Sequence, residues 1–246
     1  MPLLVRFLGT AASRPTIERG VSSLAIIREG ETILIDCGEG TQRQMMRYGV
    51  SFAFADLFFT HMHADHILGL TGIIRTLQLQ GRTDPLRLWG PPGSARTLRA
   101  CISLGGDRTT FPVTITEVEP NSTINRTDYR IETFEVDHRQ TSCIGIALKE
   151  EDRLGRFNPD LARAMGIPEG PLWGRIHKGQ PITLDDGRVV EPAELVGAPR
   201  RGRRIVVTGD TRPCAGTMLA AQDADLLIHE ATFSDEEAAR ALETGH

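Results

Sequence analysis

The sequence predicts an α/β chain in which two β-sheets pack face to face and helices cover the outside. Three observations carry this. Short apolar runs of strand character dominate both ends of the chain. Helical periodicity lies between them. The 246 residues suffice for one large α/β domain with a sizeable core.

Residues 3–8 read as a strand. Residues 22–36 hold two more buried strands, Ser23–Ile27 and Thr32–Ile35, joined at Glu29-Gly30-Glu31 as a hairpin. Gly38 to Tyr48 reads as a helix whose Gln42, Arg43 and Gln44 face solvent. Leu57-Phe58-Phe59 is a buried strand, and Ile67 to Leu79 is the helix after it. Leu86 to Trp89 is a strand stopped by Gly90-Pro91-Pro92-Gly93, and Ser94 to Leu104 is a helix with Ser94 as its N-cap. Ser122 to Asp137 alternates like a strand up to Val136. Arg204 to Thr208 and Asp225 to His229 read as buried strands, and Ala238 to Thr244 as a helix. Residues 150–200 differ. Gly and Pro are frequent and apolar periodicity is weak, which by composition describes a long surface insertion.

No apolar run approaches the roughly 20 residues of a membrane span. The N-terminus lacks a signal-peptide layout, so the cytoplasm is expected. Cys37, Cys101, Cys143 and Cys214 are widely spaced and read as reduced structural thiols. The net charge of −4 argues mildly against nucleic-acid binding, so any RNA contact must come from local patches.

The densest chemistry is His61-Met62-His63-Ala64-Asp65-His66, directly after the Leu57–Phe59 run. In extended geometry His61 and His63 point to one side. Asp65 and His66 fall where the chain turns into the next helix. One ligand pair from the strand end and another from the turn suit a two-metal site, with ions roughly 3.5–4 Å apart. His138 and Asp210 each follow an apolar run, where a strand end can present them to a shared edge. Mixed His and carboxylate ligation suits Zn²⁺, with Mn²⁺ a second choice. Asp36 ends a buried strand and is expected to order the site by hydrogen bonds.

The His-x-His-x-Asp-His motif resembles the signature of the metallo-β-lactamase superfamily. Phe7-Leu8-Gly9-Thr10, Ile35-Asp36-Cys37-Gly38-Glu39-Gly40-Thr41-Gln42, Gly209-Asp210-Thr211-Arg212-Pro213-Cys214 and His229-Glu230-Ala231-Thr232-Phe233 are similar to segments of the short-form ribonuclease Z branch, in family order. The resemblance implies a four-layer αββα sandwich over residues 1–246, interrupted by a flexible arm at about 153–196. It implies two Zn²⁺ per chain: His61, His63 and His138 on one ion, Asp65, His66 and His246 on the other, and Asp210 bridging. It implies Asp65 as general base and His229 as acid or phosphate contact. The arm would bind precursor tRNA through a tip matching Gly170-Pro171, with Arg175, His177 and Lys178 nearby. The enzyme would remove the 3′ trailer, leave a 3′-hydroxyl on the tRNA, and work as a cytoplasmic homodimer with no membrane association. In that family the residue matching His246 begins a further strand and helix. A truncated C-terminus, a frayed His246 and a weakly held second ion are therefore expected. Two other functions stay open: a small-ester hydrolase, such as a cyclic-nucleotide phosphodiesterase or an arylsulfatase-like enzyme, and a non-catalytic RNA-binding fragment.

Overall fold

The computed structural model describes residues 2–106 and 108–246. In chain order the strands are β1 (Leu3–Gly9), β2 (Ser23–Arg28), β3 (Glu31–Ile35), β4 (Asp56–Phe58), β5 (Leu86–Gly90), β6 (Val113–Glu117), β7 (Thr123–Asn125), β8 (Tyr129–Phe134), β9 (Gly145–Glu150), β10 (Ile182–Thr183), β11 (Val189–Val190), β12 (Arg204–Val207) and β13 (Leu226–Ile228). The helices are α1 (Thr41–Arg47), α2 (Ala64–Ile67), α3 (Leu70–Leu79), α4 (Ser94–Ser103), α5 (Pro159–Ala164), α6 (Pro171–His177), α7 (Pro192–Leu195), α8 (Ala215–Ala221) and α9 (Ala238–Thr244).

One sheet runs β1-β2-β3-β4-β5-β6, antiparallel from β1 to β3 and parallel from β3 to β6. Its two faces follow from the two-residue period of a strand. Ala25, Leu34, Leu57, Leu86 and Leu88 join Met45 of α1, Ile73 and Leu77 of α3 and Leu98 of α4 in one buried cluster. The alternate residues Leu24, Ile26, Ile33, Ile35 and Phe58 are buried as well, so a second layer covers that face. A second sheet runs β13-β12-β9-β8-β7. Phe134, Val136, Ala147 and Val206 pack with Ala220 of α8. Ile131, Ile144, Ile146 and Ile205 are buried outside that cluster. Two sheets with helices on both outer faces match the expected layering.

The chain divides into two compact units. The first holds residues 1–124, 131–147 and 205–246. The second holds residues 125–130 and 148–204. It has its own core of Ala162, Ile167, Ile176, Ile182, Val190 and Leu195, flanked by Phe157, Leu172 and Trp173. The segment read by composition as a long insertion is folded: its apolar residues are spaced across three short helices and a β10–β11 hairpin rather than in one periodic run. Gly170 precedes α6 and Pro171 starts it. Leu172, Trp173 and Ile176 turn inward, and Arg175 and Lys178 stay exposed.

Several local expectations change. The predicted 67–79 helix begins only at Leu70 as α3; Ile67 ends the separate short helix α2, and Leu68-Gly69 part the two. A Cβ on Gly69 would sit 2.2 Å from the Gly38 carbonyl oxygen, so only glycine lets these two segments meet. Gln42 and Gln44 are half-buried, since the Gln42 amide donates to Thr76 of α3; only Arg43 of the three is exposed. The N-cap of α4 is Gly93 in a left-handed conformation, and Ser94 is buried inside the first turn. The 122–137 strand is broken into β7 and β8 by a turn. β13 is an edge strand with Leu226 and Leu227 about two-fifths exposed, rather than a buried one. β6 and β9 form without a distinctive signal in the sequence.

Candidate metal centre

The loops past the ends of β4, β8, β12 and β13 converge within the first unit. Strand β4 is fully buried, and four residues, with a bend at Thr60, lead from it to His63, the extended N-cap residue of α2. His61 is fully enclosed, with Nδ1 3.1 Å from Thr60 Oγ1. His61 Nε2 is buried and has no hydrogen-bond partner among the described residues. A buried, unpaired imidazole nitrogen costs free energy unless a group outside the protein satisfies it.

That nitrogen has company. One ligand atom each from His61, His63, His138 and Asp210 lies within 4.8 Å of the others. The ring of His61 is 4.5 Å from that of His63 and 5.2 Å from that of His138. His63 Nδ1 and His138 Nε2 approach to 3.3 Å. His138 Nδ1 donates to the carbonyl of Gly245 at 2.9 Å, which leaves Nε2 with its lone pair toward the cluster. Asp210 follows Gly209, whose φ of +67° carries the chain out of β12. A Cβ at Gly209 would lie 2.7 Å from the Cβ of Thr60, so glycine lets the β12 and β4 ends come together.

A second group of Asp210, Glu230 and His246 meets the same 4.8 Å limit. His246 Nδ1 lies 2.7 and 2.9 Å from the two oxygens of Glu230. Its ring packs 4.8 Å from His138 and 5.5 Å from Phe233. The expected fraying is therefore not found: His246 is only 14% exposed. His66 Nε2 stands 3.4 Å from Asp210 Oδ1 and 3.8 Å from Asp65 Oδ2. Asp65 Oδ2 accepts the Ser13 N–H at 2.8 Å. The expected ligands of the second ion all gather about Asp210, but the tight cluster groups His246 with Glu230 instead of with Asp65 and His66. Sequence reasoning gives Glu230 no role beyond satisfying His229. What escapes it is a carboxylate one residue past His229 that reaches a histidine sixteen positions later.

Asp36 sits behind the site. Its carboxylate accepts from the Thr60 N–H at 2.8 Å, the Thr60 hydroxyl at 2.9 Å and Ser22 Oγ at 3.2 Å, and meets His66 Nδ1 at 2.7 Å. The orienting role expected of it is the geometry seen.

Charge follows geometry. Burial, then the neighbouring imidazole of His66, pushes the His61 pKa down to about 2. Burial and His138 also lower His63. Burial opposes the charge on His66, but Asp36 and Asp210 outweigh it and hold its pKa well above the usual value. Burial works against ionised Asp210 too, yet its hydrogen bond to His66 and the surrounding imidazoles keep its pKa below the carboxylate range. Neutral His61 and His63 beside an ionised Asp210 are the protonation states a cation needs. The donor set and the orphaned nitrogen fit a divalent metal ion.

Two cavities share Asp65 and Asp210. The larger, about 810 Å³, is lined by His66, His229, Glu230, Arg14 and Arg19. The smaller, about 570 Å³, is lined by His63, His138, Arg139 and His246. His229 is exposed at the larger one, with Nδ1 2.9 Å from the Glu230 carbonyl. Gly170, Pro171, Arg175 and Lys178 belong to the second unit.

Comparison with known proteins gives this arrangement a family. Residues 3–160 match the family model described as "Anti-Pycsar protein Apyc1", and over that stretch the chain belongs to that family. Full-length relatives narrow the assignment. The chain is 72% identical to ribonuclease Z of Gemmatimonas aurantiaca, covering 100% of this chain and 79% of that protein. It is 50% identical to ribonuclease Z of Myxococcus xanthus, over 99% and 79% of the two. The fold aligns with the crystal structure of human tRNase Z, short form, at a TM-score of 0.70 and 26% identity, over 98% of this chain and 83% of that one. It also aligns with the metallo-β-lactamase fold protein YhfI of Bacillus subtilis at a TM-score of 0.66. The chain belongs to the ribonuclease Z family of the metallo-β-lactamase superfamily.

Proposed function

We propose that this metal-dependent endoribonuclease removes the 3′ trailer of precursor tRNA and leaves a 3′-hydroxyl on the tRNA. The buried His61 Nε2, without a hydrogen-bond partner inside a ring of His63, His138 and Asp210, carries the reading, because it supports a cation-binding site of the kind a metal-dependent hydrolase needs. His61, His63, His138 and Asp210 would hold one Zn²⁺. Asp210, His66, Asp65 and His246 would hold a second, with Glu230 fixing the His246 ring. Zn²⁺ is the favoured ion, and Mn²⁺ can occupy the same donors. Bound divalent ions supply Lewis-acid charge at the phosphate and a water of lowered pKa.

The chain's own groups complete the chemistry. Asp65 is anchored by the Ser13 N–H on one oxygen, which leaves the other to take a proton from the attacking water. His229 keeps its Nδ1 proton on the Glu230 carbonyl, so Nε2 is the nitrogen that exchanges a proton with substrate. A proton delivered from protonated His229 to the 3′ oxygen breaks the P–O3′ bond and leaves the phosphate on the trailer. In the second unit, Gly170 and Pro171 form the proposed contact with the tRNA body, and Arg175 and Lys178 supply charge for its phosphates. The arm assigned to about 153–196 falls inside that unit, and its separate core supports an RNA-gripping module that a small-ester hydrolase would not need. A cytoplasmic homodimer completes the reading; no helix among the described residues is long and apolar enough to cross a membrane.

The test is cleavage of a precursor tRNA by the Zn²⁺-loaded chain, with both product ends mapped. A single cut at the trailer junction giving a tRNA 3′-hydroxyl and a 5′-phosphorylated trailer is expected. An intact precursor beside efficient hydrolysis of a small phosphodiester would move the assignment to a small-ester hydrolase.

A further inference from the structure

Thr211 follows Asp210 in the β12 loop and is almost wholly enclosed, at 1% exposure. It is bonded in two directions. Its hydroxyl oxygen accepts the Asp137 N–H at 3.0 Å and donates to the Arg212 carbonyl at 2.8 Å. The Arg212 N–H donates back to the Asp137 carbonyl at 3.0 Å, closing an isolated antiparallel bridge between Asp137 and Arg212. The Arg212 guanidinium grips the Asp137 carboxylate at 2.8 and 3.0 Å. The next residue is His138. In the other direction the Thr211 N–H donates to Glu230 Oε1 at 2.7 Å. The same oxygen meets His246 Nδ1 at 2.7 Å.

His138 and His246 come from opposite regions of the chain and belong to the two different donor groups. Each is tied to a direct partner of Thr211: His138 is the residue after Asp137, and His246 is bonded to the carboxylate of Glu230. We infer that Thr211 is a positioning residue that sets the His138 and His246 imidazoles together, so that the two donor groups are coupled through one buried side chain and its peptide. The inference rests on the metal-centre reading above.

The physical reason is directional. The hydroxyl must accept from one backbone N–H and donate to one carbonyl at once, which fixes its rotor. A methyl in the same place satisfies neither and takes a partner from two partly buried backbone groups. The β8 end then keeps its bonds to Arg212 but shifts, His138 with it. The peptide of Thr211 moves as well, because its side chain no longer pins it, and Glu230 loses a donor that holds its carboxylate toward His246. Asp36 and Thr60 hold His66 and His61 independently of all this.

The test uses Thr211→Val, isosteric but without the hydroxyl, and Thr211→Ser, which keeps it. Two measurements are made: Co²⁺ titration of the metal-free proteins followed by visible absorption, and ¹⁵N imidazole shifts of the metal-free proteins. Valine should weaken binding of both metal equivalents by about 10–100-fold, the usual effect of removing a group that orients a ligand. It should move the resonances of His138 and His246 and leave those of His61 and His66 in place. Serine should restore both. Parental Co²⁺ affinity in the valine variant would overturn the inference, and so would shifts confined to His61 and His66, which would trace the effect to neighbouring Asp210. If valine does not fold, Thr211→Ala, which admits a water, carries the same readouts. A parent protein that takes up no Co²⁺ would instead defeat the metal-centre reading.

Discussion

Asp36 Oδ2 and His66 Nδ1 lie 2.7 Å apart with both side chains buried. The pair fixes the His66 ring so that Nε2 faces Asp210. Asp36 itself adopts a left-handed backbone, φ +57°, unusual for a residue that is not glycine. That turn aims its carboxylate at Thr60, Ser22 and His66 together. In Asp36→Asn the amide nitrogen would oppose one of these donors. Metal affinity should fall by about 10–100-fold, measured by zinc titration, and the His66 pKa should drop, measured by NMR. Parental zinc affinity would show that His66 orients itself.

His63 is the N-cap residue of α2, with His138 Nε2 3.3 Å from its Nδ1. Among the described residues, no other side chain takes its place in the first donor group. His63→Ala should lose metal from that group and nearly all turnover. Elemental analysis and precursor cleavage check this; unchanged zinc content would remove His63 from the ligand set.

The metal-free protein should lose stability in mild acid. The His61 pKa in the fold is about 2, below the ordinary value near 6.5 in an unfolded chain. A lowered histidine contributes stability that is present above pH 6.5 and is lost as pH falls, because the unfolded state binds the proton first. One such group loses about 2 kcal/mol between pH 7 and pH 5. His66 has the opposite sign: its pKa is raised, so its contribution is complete below pH 6.5 and declines only as pH rises through the folded value. Urea unfolding at pH 5 and pH 7 in a chelator should show the loss, and His61→Asn should flatten it. A parent whose stability is the same at both values contradicts the assignment.

His229 is in neither of the tight donor clusters, yet it lines the larger cavity with Asp65 and Asp210. His229→Ala should lower kcat by roughly 10²–10⁴-fold, the range for general acid–base catalysis, while metal content stays intact. Normal cleavage by this variant would leave His229 as a capped strand end.

Arg175 and Lys178 stand exposed on and just past α6 of the second unit. Replacing both by Ala should weaken precursor-tRNA binding and flatten its salt dependence, by roughly 0.7–0.9 in slope for each phosphate no longer neutralised. Hydrolysis of a small phosphodiester should not change. An unaltered salt slope would place the RNA interface elsewhere.

The local half of this protein is legible in its sequence alone. A strand period of two aligns His61 with His63, and apolar runs locate the ends of β4, β8 and β12 where His138 and Asp210 stand. Asp36 reads as an orienting group from its place at the end of β3. These readings depend on neighbours a few residues apart. The rest is decided by contacts between distant segments. The helix break at Gly69 exists because Gly38 passes against it. The small core of residues 148–204 is assembled from single apolar residues on five short elements, too brief to show a period. Glu230 holds His246, and Thr211 joins Asp137 to Glu230, through hydrogen bonds spanning 16 to 74 residues. A pattern in sequence reports the face a side chain occupies, but its partner across the fold is selected only when the sheets and loops close.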